Sequence, residues 1–200
     1  MSHKAPYSGM SLLVVDDDAA MRTLLTKIAS SWSFETEACA SAEEALRRME
    51  QRQFNIIISD VKMGKMDGIQ FAETVREKMP ATAVIIMTGY PSEKTAMKSL
   101  ELGATYYLSK PIGMDDLGET LRIAAAWNIG KLTDRAAHRF HGLYAREGAD
   151  GEKRVETIKE AIRNLLRGPG FVDSLRDFVY NPSATTNALL EELKKRFVAR

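Results

Sequence analysis

The sequence predicts an α/β fold: a five-stranded, doubly wound parallel sheet followed by a small all-α region. Three observations carry this. Over residues 10–128, five short apolar or β-branched runs alternate with five segments of helical spacing, and such alternation calls for a parallel sheet with helices on both faces. The run Ile56–Ile58 is continuously apolar, the pattern of a strand covered on both sides. Four of the five runs end in polar residues: Asp16 and Asp17, Asp60, Thr88, and Lys110. Right-handed crossovers restrict the topology, and order 2-1-3-4-5 is the natural choice for five units of this size.

Each element has a local reason. Met10 to Val15 is an apolar run, and Met21, Leu24, Leu25 and Ile28 then recur at helical spacing until Ser30 to Ser33 breaks the helix. Phe34 to Ala38 is a weaker strand pattern. Ser41 with Glu44 three residues on matches a capping box, and Ala45, Leu46 and Met49 continue that helix. After the Asp60 strand, Ile69, Phe71, Ala72 and Val75 mark a third helix, stopped near Pro80. Ala83 to Met87 is a fourth strand ending at Thr88 and Gly89. Pro91 stands where a helix start tolerates it, Ala96, Met97 and Leu100 follow, and Gly103 closes the helix. Thr105 to Leu108 is the fifth strand, and Leu117, Leu121, Ile123, Ala124 and Trp127 form a fifth helix before Gly130 and Lys131.

Composition excludes several classes. The chain has 200 residues, 44% of them hydrophobic and 28% charged, which is ordinary globular usage. The single cysteine, Cys39, allows no intramolecular disulfide and fits a reducing compartment. No apolar run approaches the roughly 20 residues of a membrane span, and the N-terminal MSHKAPYSGM lacks the apolar core of a secretory signal. A cytoplasmic protein without membrane contact is expected. Residues 1–130 carry 14 Lys and Arg against 17 Asp and Glu, a net −3; residues 131–200 carry 14 against 10, a net +4. The second part is mildly basic, well short of the footprint of a strong nucleic-acid binder.

In a 2-1-3-4-5 sheet the first, third, fourth and fifth strands are contiguous, so their polar ends converge on one rim, the edge where open α/β sheets place ligands. A lone Asp60 would be read as a turn cap; the set says more. Asp16, Asp17 and Asp60 repel when packed together and ionise reluctantly unless a cation compensates. Hard oxygen ligands with open water positions suit Mg²⁺. Asp60 would then be the nucleophile, since a carboxylate can form an aspartyl-phosphate. The metal, Thr88 and Lys110 would then stabilise an in-line transferring phosphoryl group. Asp18 reads as the cap of the first helix and Asp67 with Gly68 as the turn before the third.

VVDDD at 14–18, SDVKMGKMDG at 59–68, MTGY at 87–90 and YYLSKPI at 106–112, in this order, resemble the receiver domain of two-component response regulators, of flavodoxin-like (CheY-like) fold. The resemblance covers residues 10–128 and implies the following. Asp60 accepts a phosphoryl group from the phosphohistidine of a sensor histidine kinase or a histidine phosphotransfer protein. Asp16, Asp17, Asp60 and the Lys62 backbone carbonyl bind Mg²⁺. Thr88 hydrogen-bonds the phosphoryl group, Lys110 pairs with it, and Lys110-Pro111 is a cis peptide. Tyr107 is the switch aromatic that turns inward with Thr88. Lys62 and Tyr90 stand at positions that tune autodephosphorylation. Such a domain is a phosphoacceptor switch, catalysing its own phosphorylation and dephosphorylation, and not an enzyme acting on another substrate. One departure stands out: Gly64 replaces the usual proline four residues after the acceptor, so that loop should be looser.

Residues 131–200 read as a helical extension for output or dimerisation. Leu132 to Tyr144 has helical character, EGADGEK at 147–153 a turn-forming loop. Val155, Ile158, Ile162, Leu165 and Leu166 form a stripe closed by Gly168-Pro169-Gly170; Phe171, Val172, Leu175, Phe178 and Val179 form another, ended by Asn181-Pro182. Ser183 can cap a last helix carrying Leu189, Leu190, Leu193 and Phe197. Lys194, Lys195, Arg196 and Arg200 cluster at its C-terminus, where they complement the helix dipole. DNA binding through these helices, or a relay passing the phosphoryl group onward, are the alternative outputs. His138 and His141 lie three apart without a third metal ligand nearby.

Overall fold

In a computed structural model, which describes residues 7–144, 151–166, 171–180 and 188–198, the first part is the expected α/β sheet. The elements are β1 (Ser11–Val15), α1 (Ala19–Ser31), β2 (Glu35–Cys39), α2 (Ala42–Gln51), β3 (Ile56–Asp60), α3 (Gly68–Lys78), β4 (Ala83–Thr88), α4 (Glu93–Leu102), β5 (Tyr106–Ser109) and α5 (Met114–Tyr144). All strands pair in parallel, in the order β2-β1-β3-β4-β5.

The sheet is covered on both sides, and its central strands β1, β3 and β4 are buried at every position. Side chains alternate across a strand. Leu13, Val15, Ile57, Val84 and Ile86 therefore pack on one face with Ala42, Ala45 and Met49 of α2 and Phe71, Ala72 and Val75 of α3. Leu12, Val14, Ile56, Ile58, Ile85 and Met87 take the other and are equally buried. α1 and α5 bury Leu25, Ala29, Leu117, Leu121 and Ala124, and they neighbour each other where Gly118 meets the Trp32 ring.

The helix starts follow the sequence closely. Asp18 caps α1 by accepting from the Ala20 amide, and Asp67 makes a complete capping box with Gln70 on α3. At α2 the reciprocal half of the box is displaced: Ser41 accepts from the Glu44 amide, but the Glu44 carboxylate accepts from Ala40 instead of Ser41. The break expected across Ser30 to Ser33 falls later, with Ser30 and Ser31 helical, Trp32 as C-cap and Ser33 at φ 72.

The fifth helix does not stop before Gly130. It runs unbroken for 31 residues, Met114–Tyr144. A helical glycine costs only about 1 kcal/mol relative to alanine, and the buried series Leu121, Ala124, Ala125, Asn128, Leu132, Ala136 and Phe140 continues through it.

The chain divides into two compact units, residues 1–128 and 129–200, the division falling inside α5. The second unit comprises the end of α5, α6 (Gly151–Leu165), α7 (Phe171–Tyr180) and α8 (Ala188–Phe197). Gly151 to Lys153, expected in a loop, form the first turn of α6. The proposed breaks at 168–170 and 181–182, and the Ser183 cap, lie outside the described residues.

Side-chain contacts tie this unit together. Lys159 of α6 pairs with Asp134 at 2.6 Å. Arg139 lies over the Phe178 ring of α7 at 4.6 Å, and Phe140 meets Phe197 of α8 edge-on. Ile158, Ile162, Leu175, Phe178, Leu189, Leu190 and Leu193 fill the core. Among the described residues no helix is long and apolar enough to cross a membrane.

Candidate functional site at the C-terminal rim of the sheet

The rim collects the expected side chains because β1, β3, β4 and β5 run side by side in parallel. Asp60 is the last residue of β3 and Thr88 the last of β4, while Asp16 and Lys110 each lie one residue beyond β1 and β5. Backbone hydrogen bonds lock the ends: Val61 donates to the Met87 carbonyl at 2.9 Å and Lys110 to the Thr88 carbonyl at 2.7 Å. The Lys110–Pro111 peptide is cis.

Lys110 joins two carboxylates. Its Nζ is 2.7 Å from Asp60 Oδ1 and 2.9 Å from Asp16 Oδ2. Asp16 is 1% exposed and Asp60 7%. Burial pushes the Lys110 ammonium down, but its hydrogen bonds and charge contacts with Asp60 and Asp16 outweigh this and hold its pKa above the usual lysine value.

The second oxygen of each carboxylate is also used. Asp60 Oδ2 accepts from the Lys62 amide at 2.7 Å, and Asp16 Oδ1 accepts from the Asp18 amide at 2.9 Å. Asp17 faces solvent.

Among the described residues no group of three His, Cys, Asp or Glu side chains is arranged to hold a metal ion. The three expected carboxylates are thus not gathered into one ligand set: Lys110 pairs with Asp16 and Asp60, and Asp17 is exposed. Two buried carboxylates offset by one ammonium, with Asp17 beside them, nevertheless leave an all-oxygen donor set of net negative charge. That suits a hard cation which takes one or two carboxylates and keeps waters.

Thr88 is buried, and its hydroxyl accepts from the Tyr90 amide at 3.1 Å. Tyr107 is half-buried against the core cluster of α2 and α3, and its buried hydroxyl has no hydrogen-bond partner among the described residues. Tyr106 is half-buried.

Three contacts at the site were not legible in the sequence. Arg22 of α1 donates to the Asp16 carbonyl at 2.7 Å, steadying the turn that carries the acids; nothing in its spacing announces this. The Lys62 ammonium stands 3.8 Å from the centroid of the Tyr90 ring. Gly68 lies against Asp60 so closely that a Cβ there would be 2.0 Å from the Asp60 carbonyl oxygen; a glycine as the first residue of a helix was the available signal. Among the described residues Gly64 has nothing within 4 Å of an added Cβ.

Comparison with known proteins accords with this geometry. The family model described as "Response regulator receiver domain" matches residues 12–122. The chain belongs to the response regulator receiver family. Its receiver is similar to that of the transcriptional regulatory protein ZraR of Escherichia coli O157:H7, with 37% identity over 120 residues, covering 60% of this chain and 27% of that protein. It is also similar to the photosynthetic apparatus regulatory protein RegA of Rhodobacter capsulatus, with 32% identity over 57% of this chain and 62% of RegA. The matched segment thus spans only about a quarter of ZraR's length.

Among solved structures, a response regulator receiver domain protein from Clostridium thermocellum superposes with a TM-score of 0.57 at 28% identity, covering 62% of this chain and 98% of that one. The beryllofluoride-activated NtrC4 receiver domain dimer does so with a TM-score of 0.57 at 29% identity, covering 59% and 98%. These matches account for the receiver.

Proposed function

We propose that this chain is a response regulator whose receiver is a Mg²⁺-dependent phosphorylation switch, with Asp60 as the phosphoacceptor. The observation that carries the reading is Lys110 bridging Asp60 and Asp16 at 2.7 and 2.9 Å. A cation already sits where charge on a transferred phosphoryl group would develop.

Asp60 attacks the phosphorus of a phosphohistidine on a sensor kinase or a phosphotransfer protein. A P–O bond forms, the P–N bond breaks, and the imidazole leaves. Lys110 holds the carboxylate and neutralises the new charge, and Thr88 donates its hydroxyl to the phosphoryl group. Asp16, Asp17, Asp60 and the Lys62 carbonyl would hold Mg²⁺, which when bound supplies charge at the phosphoryl oxygens. Tyr107, whose buried hydroxyl lacks a partner among the described residues, is the aromatic that responds to Thr88. The domain turns over no other substrate and acts in the cytoplasm.

Helices α5 to α8 carry output, by self-association or by binding a partner. The NtrC4 receiver was solved as a dimer in its activated form, which favours a homodimer here. The description of ZraR as a transcriptional regulatory protein raises DNA binding as a second reading. Against it, the basic cluster of α8 is laced with acids: Lys194 pairs with Glu191, and Lys195 and Arg196 with Glu192.

Incubation with acetyl phosphate and Mg²⁺ is expected to add one phosphoryl group by intact mass, and Asp60→Asn to abolish it. Phosphate on another residue of the wild type would overturn the assignment.

A further inference from the structure

The two residues that follow the acceptor and the buried threonine by two places are joined to each other. The Lys62 amide donates to Asp60 Oδ2 at 2.7 Å, and the Tyr90 amide donates to Thr88 Oγ1 at 3.1 Å. Their side chains then meet, with the Lys62 ammonium 3.8 Å from the Tyr90 ring centroid. The loop after β3 and the loop after β4 are therefore closed into one circuit: Asp60, Lys62, Tyr90, Thr88. Tyr90 is 72% exposed, so the ring contributes little to the core, and the ammonium is its evident partner.

We propose that Lys62 and Tyr90 form a latch that holds Thr88 in its resting hydrogen bond and must open when Asp60 is modified. The inference rests on Asp60 being the phosphoacceptor. Thr88 Oγ1 is bonded to the Tyr90 amide and not to the carboxylate. Any shift of Thr88 toward a group on Asp60 draws on the Tyr90 backbone, and the ring above Lys62 resists that shift. The Lys62 charge is likewise committed to the ring and becomes available to an anionic group only when the two part. Lys62 and Tyr90 are thus positioning residues, acting through Thr88 and Asp60.

The test is a double-mutant cycle on the full chain, reading the apparent affinity for beryllofluoride with Mg²⁺. The variants are Lys62→Met, Tyr90→Ala and both together, with Tyr90→Phe as the conservative change. Removing the lysine also removes a charge that attracts the anion, and the cycle separates that effect from the latch. Tyr90→Ala is expected to tighten binding roughly two- to five-fold, the equivalent of an exposed cation–π contact. The gain is expected to vanish when Lys62 is already Met, and Tyr90→Phe is expected to keep the wild-type affinity because the ring remains. Additive effects in the cycle, or Tyr90→Phe behaving as Tyr90→Ala, would overturn the latch while leaving Asp60 as acceptor. A wild type that binds no beryllofluoride would overturn the phosphoacceptor reading and the latch with it.

Discussion

Asn128 of α5 is joined to Asn55, 73 residues earlier, by a buried 2.9 Å bond from Asn55 Nδ2 to Asn128 Oδ1. Asn55 Oδ1 in turn accepts from the Ser11 amide and hydroxyl, and Asn128 Nδ2 donates to the Ala81 carbonyl at 2.7 Å. This network closes the pole of the sheet opposite Asp60. Because Asn128 is the last residue of the first compact unit, it fixes α5 to the sheet at the point where that unit ends.

Asn128→Ala therefore strips a partner from both Asn55 and Ala81. Loss of buried hydrogen bonds of this kind is expected to cost roughly 1–3 kcal/mol, read by urea unfolding. Phosphorylation of Asp60 should persist in the folded fraction, because the lesion lies at the far end of β3. A variant of wild-type stability would show the network to be dispensable.

Lys110→Met leaves Asp16 and Asp60 without their shared cation. Lys110 keeps 21% exposure, so the loss at neutral pH is expected near or below the low end of the roughly 3–5 kcal/mol that breaking a buried pair costs. Mg²⁺ should restore part of it by binding the folded carboxylates. The pH sign follows from the raised Lys110 pKa. The wild-type advantage is fully present below the unfolded lysine value of about 10.4 and is lost as pH rises through the folded value. Thermal unfolding of both proteins from pH 7 to 11 checks this; a gap that fails to narrow at the alkaline end contradicts it.

Gly68 and Gly64 should behave oppositely. A Cβ at Gly68 meets the Asp60 carbonyl oxygen at 2.0 Å, and backbone cannot yield as a side chain does. Gly68→Ala is expected to destabilise by at least the roughly 1–3 kcal/mol of ordinary overpacking and to slow acetyl phosphate labelling by displacing Asp60. Gly64→Ala meets nothing within 4 Å among the described residues and is expected to stabilise by about 0.4–1 kcal/mol through the unfolded chain. Paired unfolding and labelling curves would show whether the order is reversed.

Cys39 is the one thiol, 1% exposed in the core under α2. Burial pushes its pKa up to about 11, with the nearby Glu44 carboxylate adding to the effect. Folded protein at pH 8 is expected to resist a colorimetric thiol reagent, and protein in denaturant to react with one equivalent. Rapid reaction of the native protein would mean that this part of the core opens readily.

Much of the receiver could be read from local pattern. Continuous apolar runs such as Ile56–Ile58 mark strands buried on both faces, Asp18 and Asp67 mark helix starts, and alternation of the two patterns leads to the sheet order. Asp16, Asp60, Thr88 and Lys110 share one rim by topology alone, since parallel strands in that order end together. Each of these features depends on neighbours within a few residues, or on chirality rules that apply to any such chain.

Other features only the tertiary structure decided. Whether Lys110 faces one acid or two depends on the separation of three strand ends. The contact of Lys62 with Tyr90 joins two loops that no sequence periodicity relates. Asn55 and Asn128 are far apart along the chain, and the close approach of Gly68 to Asp60 is set by how α3 docks. The long α5 belongs with these: Gly130 and Lys131 suggest an end, but a helical glycine weakens a helix by only about 1 kcal/mol, and burial of Asn128 and Leu132 on either side outweighs it. Local residue choice thus determined the elements and which of them carry chemistry, while packing between distant segments decided which side chains meet.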